Sequence, residues 1–233
     1  MYYYQRRRLW GGYSKKVLSY GPVAYWPLNE ESGSVAYDIS GNGRNGAYTG
    51  VTLGQDGIGD GGTCPLFDGA NDYVNIIAAQ NAYNGAEGAL IVWAKASGAG
   101  MWSDGTLRYI IHLFAGATTF MYIQRTAANN ALQFRRRVGA ADKVINATGV
   151  SSTEWMSVGL SWSETGDTVK AFYNASQLGA TQTGLGTWSG VPSVMTVGAY
   201  NTTPANVWDG YEGSVILFNS VQSNAAMIDL MTI

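Results

Sequence analysis

Between positions 156 and 162 the apolar residues Met156, Val158, Leu160 and Trp162 alternate with Ser157, Gly159 and Ser161. This is the two-residue period of a β-strand buried on one face. Strand-like segments recur along the chain, first at 23–28 and most clearly at 73–77, 89–96, 107–114, 120–125, 132–138, 155–162, 169–174, 194–200 and 214–218. Turn-forming clusters separate them at 40–43, 56–62, 97–100, 163–167 and 184–186. A helix is predicted only near the C-terminus, where Ser223 is placed to cap residues 224–230. Residues 1–19 lack the alternation and read as an arm, whereas 20–233 reads as one domain without an internal repeat.

Composition supports a globular all-β chain: 46% of the 233 residues are hydrophobic and only 13% are charged. The 31 glycines against 5 prolines suit many tight turns between short strands. A single cysteine, Cys64, excludes an intramolecular disulfide. No apolar run reaches the roughly 20 residues of a membrane span, and the N-terminus lacks the apolar core of an export signal. The expectation is a protein without membrane insertion. Charge is uneven, because Arg6, Arg7, Arg8, Lys15 and Lys16 precede any acid and leave a distinctly acidic remainder.

Chemistry-bearing patterns are scarce. None of the six glutamates, at 30, 31, 87, 154, 164 and 212, begins an E-x-D-x-x-E strand of the kind that flanks a glycosidic bond with two carboxylates. His112 is the only histidine and no G-x-S-x-G turn is present, so a Ser-His-Asp hydrolase lacks its frame and His112 reads as a strand residue. One Cys and one His do not make a zinc site. Asp56-Gly-Ile-Gly-Asp-Gly61 departs from a calcium loop at Ile58 and Phe67. No phosphate or dinucleotide fingerprint marks a nucleotide site, and no nucleic-acid partner is expected. Arg135, Arg136 and Arg137 lie in a strand-like run, so they should alternate between faces, leaving one or two surface arginines. The expected class is a non-enzyme.

Val23-Ala-Tyr-Trp-Pro-Leu-Asn-Glu30 followed by Ala36-Tyr-Asp-Ile-Ser-Gly-Asn-Gly43 resembles the opening of laminin-G-like, pentraxin- and concanavalin-A-like domains. Phe67-Asp-Gly-Ala-Asn-Asp-Tyr-Val74, Glu154-Trp155 with Val158, and Trp208-Asp-Gly-Tyr211 before Val215-Ile-Leu-Phe218 resemble its later signatures. The resemblance spans about residues 20–233 and implies a two-sheet antiparallel jelly-roll sandwich, concanavalin A-like, with an extended N-terminal arm and a short C-terminal helix. Many relatives carry calcium at a rim of acidic and carbonyl oxygens. Here Asp38, Asn42, Asp209 and Glu212 are the candidate ligands, although Gly213 and Ser214 stand where the family's acidic pair is expected. The other reading of Asp38 and Asn42 is an Asx turn that caps backbone amides.

Aromatics in loops could stack on sugar rings; the candidates for glycan binding are Tyr48, Trp102, Trp188, Tyr200 and Trp208, whereas Trp26, Trp93, Trp155 and Trp162 should pack in the core. The arm contributes Tyr2, Tyr3, Tyr4, Arg6, Arg7, Arg8 and Trp10, residue types suited to a protein–protein interface. The resemblance extends to bacteriophage capsid, tail and fibre components made without export signals. It implies a homo-oligomeric structural protein on the virion surface, assembled in host cytoplasm, docked to other virion proteins by its arm and displaying a glycan-binding sandwich. The alternative is a bacterial carbohydrate-binding or adhesion module, extracellular or at the cell surface.

Overall fold

The structure, a computed structural model, describes residues 12–128 and 130–233. Tyr2, Tyr3, Tyr4, Arg6, Arg7, Arg8 and Trp10 lie outside the described residues. In chain order the elements are α1 (Gly12–Ser19), β1 (Ala24–Trp26), β2 (Val35–Ala36), β3 (Gly46–Thr49), β4 (Thr52–Asp56), β5 (Thr63–Asp68), β6 (Tyr73–Asn75), β7 (Glu87–Ala96) and β8 (Arg108–Gly116). There follow β9 (Thr119–Arg125), β10 (Leu132–Val138), β11 (Ala141–Ala147), β12 (Met156–Ser163), β13 (Thr168–Tyr173), β14 (Ser176–Gln182), β15 (Val194–Val197), β16 (Asp209–Phe218) and α2 (Asn224–Leu230). The strands form two antiparallel sheets, as the sandwich reading expected. The first runs β14-β13-β12-β7-β16-β5-β4, with β1 beside the far half of β16, and the second runs β11-β10-β9-β8-β15-β6-β3-β2.

Between the sheets, Trp26, Phe67, Leu90, Val92, Trp102, Phe134, Trp162 and Trp208 form one core. Each such side chain taken fully out of water contributes about 1.5–3 kcal/mol before entropy is counted. Gly210 lets β16 enter this frame. Its φ is +146°, and an added Cβ would sit 2.1 Å from the Lys95 carbonyl oxygen, so a side chain there would meet both strain and backbone.

The outer face of the first sheet is covered. Ala89, Ile91, Trp93, Phe172, Ile216 and Phe218 pack against Tyr13 and Val17 of α1 and Met227 and Leu230 of α2. The Tyr13 hydroxyl donates to the Leu230 carbonyl at 2.6 Å and accepts from Trp93 Nε1 at 2.8 Å, tying both helices to the sheet. Residues 12–19, assigned by their sequence to the arm, are thus a packed helix with Tyr13 and Val17 one turn apart on its buried face. The eight-residue stretch is too short for its period to stand out from the residues before it.

Helix α2 begins where Ser223 was expected to cap it, its side-chain oxygen accepting from the Ala226 amide at 3.1 Å. Ser223→Ala should cost about 1 kcal/mol, the usual loss for such a cap. Urea unfolding followed by circular dichroism checks this, since α2 covers the first sheet and its loss lowers the global midpoint. Cys64 is buried and free, and burial pushes its thiol up to about 12.

Candidate functional site

With both helices on the first sheet, the second sheet keeps an outer face that neither helix covers. Strand register arranges that face in rows, because directly paired residues project to the same side. One row reads Arg137, Phe120, Phe114, Val194 from β10 through β9 and β8 to β15. The next reads Arg135, Tyr122, His112, Thr196, and the third reads Asn146, Gln133, Gln124, Tyr109. Inner-face residues Ile111, Leu113, Met121, Ile123 and Phe134 alternate with these and join the core.

The result is a continuous aromatic surface. Phe120 and Tyr122 stack with rings 4° from parallel and centroids 5.7 Å apart. Tyr200, from the loop after β15, lies nearly parallel over His112 at 4.8 Å, and Tyr109 sits 5.3 Å from both Tyr122 and Tyr200. Tyr109, His112 and Tyr122 are buried by their neighbours, while Phe114, Phe120 and Tyr200 stay partly open to solvent. Such rings offer flat apolar faces next to polar edges.

Polar groups are fixed among them. Arg135 donates to both Asp142 oxygens, at 2.7 and 2.5 Å, and to the Tyr122 hydroxyl at 3.0 Å, with its guanidinium 5.3 Å from the Phe120 ring centre. These hydrogen bonds hold the Asp142 carboxyl below the usual carboxylate range. The Gln133 side-chain oxygen accepts from Tyr122 and Gln124, and its amide nitrogen donates to Asn146 at 3.4 Å. His112 Nδ1 lies 2.6 Å from the Tyr200 carbonyl, which only accepts, so this nitrogen carries the proton. Burial pushes the imidazole down to about 4, so the ring is neutral at physiological pH.

The residues expected to bind glycans separate sharply. Only Tyr200 lies on this face. Tyr48, Trp102 and Trp208 are buried, their polar atoms donating to Glu30, the Ser152 carbonyl and the Lys95 carbonyl. Trp188 packs on Tyr83 and Arg136 and is half-buried. The arginine run alternates as expected, but Arg136 is a fully buried side chain paired with Glu164 at 2.6 Å and bonded to the Leu185 and Gly85 carbonyls. It fastens the loop before β15 to the sandwich.

The proposed calcium ligands are not gathered either. Asp38 spends both oxygens on the amides of Tyr25, Ser40 and Arg44, and Asn42 donates to the Val23 carbonyl, which is the Asx-type capping the sequence also allowed. Asp209 faces the Arg108 guanidinium at 3.7 Å, a cation supplied by the chain itself. Glu212 is wholly buried, opposite Ala94 of the core. Among the described residues no three His, Cys, Asp or Glu side chains come together as a metal cluster.

No protein-family model and no curated protein sequence matches the chain. Solved structures do. Domain 4 of the GH43 extracellular arabinanase AbnA from Geobacillus stearothermophilus, in complex with arabinotriose, superposes with a TM-score of 0.63 at 12% identity, over 91% of this chain and 98% of that one. The Ruminococcus gnavus IT-sialidase CBM40 bound to α2,3-sialyllactose gives 0.56 at 13%, over 70% and 93%. A leech intramolecular trans-sialidase gives 0.55 at 13% over 69% of this chain, which spans only 26% of that protein. The fold is a lectin-like jelly roll. These jelly-roll relatives lend no support to a laminin-G assignment or to a virion role, and the arm residues on which virion docking was read lie outside the described residues.

Proposed function

We propose that the protein is a non-catalytic carbohydrate-binding jelly roll that holds glycans on the outer face of its second sheet. The aromatic surface that neither helix covers carries this reading: Phe114, Phe120 and Tyr200 offer ring faces, while the side chains of Gln133 and Arg135, held in place by the Tyr122 hydroxyl, set polar groups beside them. Sugar rings present a C–H face and a hydroxyl rim, which such a surface matches. Asp142, the acid of that face, is held by Arg135 and suits structure better than proton transfer. Proteins of the same fold whose structures are in complex with arabinotriose or bound to α2,3-sialyllactose add support.

The test is a glycan array that includes arabinotriose and α2,3-sialyllactose, followed by calorimetry on any glycan retained. Phe120→Ala and Tyr200→Ala should each weaken binding about tenfold, the loss of one well-packed aromatic contact, with the fold retained and the unfolding free energy lowered by only about 1 kcal/mol for the lost ring contacts. An array on which nothing is retained overturns the proposal, as does binding that both variants leave intact.

A further inference from the structure

Beside this face the sandwich opens at one edge. Strands β11 and β14, outermost in their respective sheets, lie against one another there, and a cavity of about 510 Å³ separates the end of β11 and residues 148–152 from Tyr173 and Leu178. Its size falls within the roughly 300–1,000 Å³ of small-molecule sites. Tyr173 and Leu178 pack on the core and floor it, together with buried Ala147 and Val150, whereas Asn146, Thr148 and Ser151 are exposed at its mouth. The wall is fixed in place, since the Val150 amide donates to the Asn130 carbonyl at 2.8 Å and Trp102 Nε1 donates to the Ser152 carbonyl at 2.8 Å. A loop pinned at both ends loses little freedom on binding.

We infer that this cavity is a second binding site that takes a single uncharged sugar unit. Its ligand class rests on the carbohydrate-binding reading. Charge is the first argument: among the described residues no Asp, Glu, Lys, Arg or His lines the cavity, so a carboxylate or phosphate would enter without a counter-ion from them and pay its desolvation unaided. Chemistry is the second. A phenol ring over an apolar floor, with hydroxyls and an amide at the rim, fits one pyranose or furanose ring. Continuity is the third, because Asn146 both lines the cavity and accepts from Gln133, the end of the hydrogen-bonded row that crosses the aromatic face. A glycan lying along that row would place its last ring at the cavity mouth.

The experiment titrates the isotope-labelled full chain with the methyl glycosides of glucose, galactose and arabinose and with methyl glucuronide, following amide signals of residues 146–152 and ring signals of Tyr173, Phe120 and Tyr122. A neutral glycoside should shift the 146–152 and Tyr173 signals saturably at millimolar concentration. Ser151→Trp, at an exposed position, should weaken those shifts at least tenfold and leave shifts of Phe120 and Tyr122 caused by arabinotriose or α2,3-sialyllactose unchanged. No shift at 146–152 with any neutral glycoside overturns the inference, and so does equal binding of methyl glucuronide. Shifts confined to Phe120 and Tyr122 overturn it while leaving the proposed function standing. Shifts at 146–152 with an empty glycan array sustain the cavity and sink the aromatic face.

Discussion

Trp208→Ala should lower the unfolding free energy by about 3–5 kcal/mol, the usual cost of truncating a fully buried aromatic, while the fraction that remains folded keeps the proposed glycan binding at the parental level. Trp208 has no exposed surface, meets Trp102 edge-on at 6.4 Å and donates its indole N–H to the Lys95 carbonyl. Removing it opens a large void and leaves that carbonyl without the indole donor. Neighbouring Trp102 also orders its surroundings, since its carbonyl accepts from buried Arg125, which pairs with Asp104 at 3.0 Å. The relevant measurements are a urea unfolding curve and calorimetry below the transition. A variant with a parental midpoint but lost binding would show that Trp208 meets ligand directly and would contradict its burial.

Why the sequence pointed to Trp102 and Trp208 as ligand contacts is instructive. Both adjoin turn-forming residues, Ser103-Asp-Gly105 and Asp209-Gly210, and so look like loop aromatics. Chain position near a turn does not determine where a ring points. A single tight turn over Ala99–Trp102 carries the Trp102 ring inward, and Trp208 immediately precedes β16 with its ring in the core. The aromatics that do share a face occupy strands. His112 and Phe114 on β8, and Phe120 and Tyr122 on β9, alternate with Ile111, Leu113, Met121 and Ile123. That alternation was visible in the sequence, but either set is apolar enough to have been the core side.

The same ambiguity runs through β12. Its alternation fixed the strand correctly, yet Ser157 and Ser161 on the polar side are buried beneath the C-terminal segment, donating to the carbonyls of Met231 and Gln222. Period two reports which residues share a side; it does not report what covers that side. Strands β2, β3 and β4 escaped notice because they are short, with a glycine inside β3 and β4, β5 because Pro65 interrupts its apolar run, and β11 and β14 because edge strands bury little and carry mixed polarity. Their absence from the sequence reading also hid the edge cavity, which exists only where β11 meets β14.

Glu212→Met should raise stability by about 1–3 kcal/mol near pH 8, the cost usually attached to a buried polar group without a partner. Glu212 follows Tyr211 into the sandwich opposite Ala94, just before an irregularity at Gly213 and Ser214, where Ser214 adopts a φ of +46° and β16 shifts register against β7. Both carboxyl oxygens are buried, and among the described residues neither has a hydrogen-bond partner. Burial raises the Glu212 pKa well above its ordinary value, because taking the carboxyl out of water disfavours its charged form in the folded chain. The unfolded chain ionises near about 4.3. The folded state therefore binds the extra proton, and stability falls as pH rises from that value toward the folded pKa.

Asp104 and Asp142 have lowered values and lose their contribution at the acid end, in a separate window. Unfolding free energies of parent and Glu212→Met at pH 5, 6, 7 and 8 should diverge progressively, with the parent weakening. Glu212→Gln separates the two causes: it keeps an unpartnered polar group but cannot ionise, so it should match the parent at pH 5 and overtake it at pH 8. If Glu212→Gln instead tracks the parent at every pH, ionisation plays no part. If Glu212→Met destabilises, the carboxyl has a partner in solution and the buried site is a built polar network.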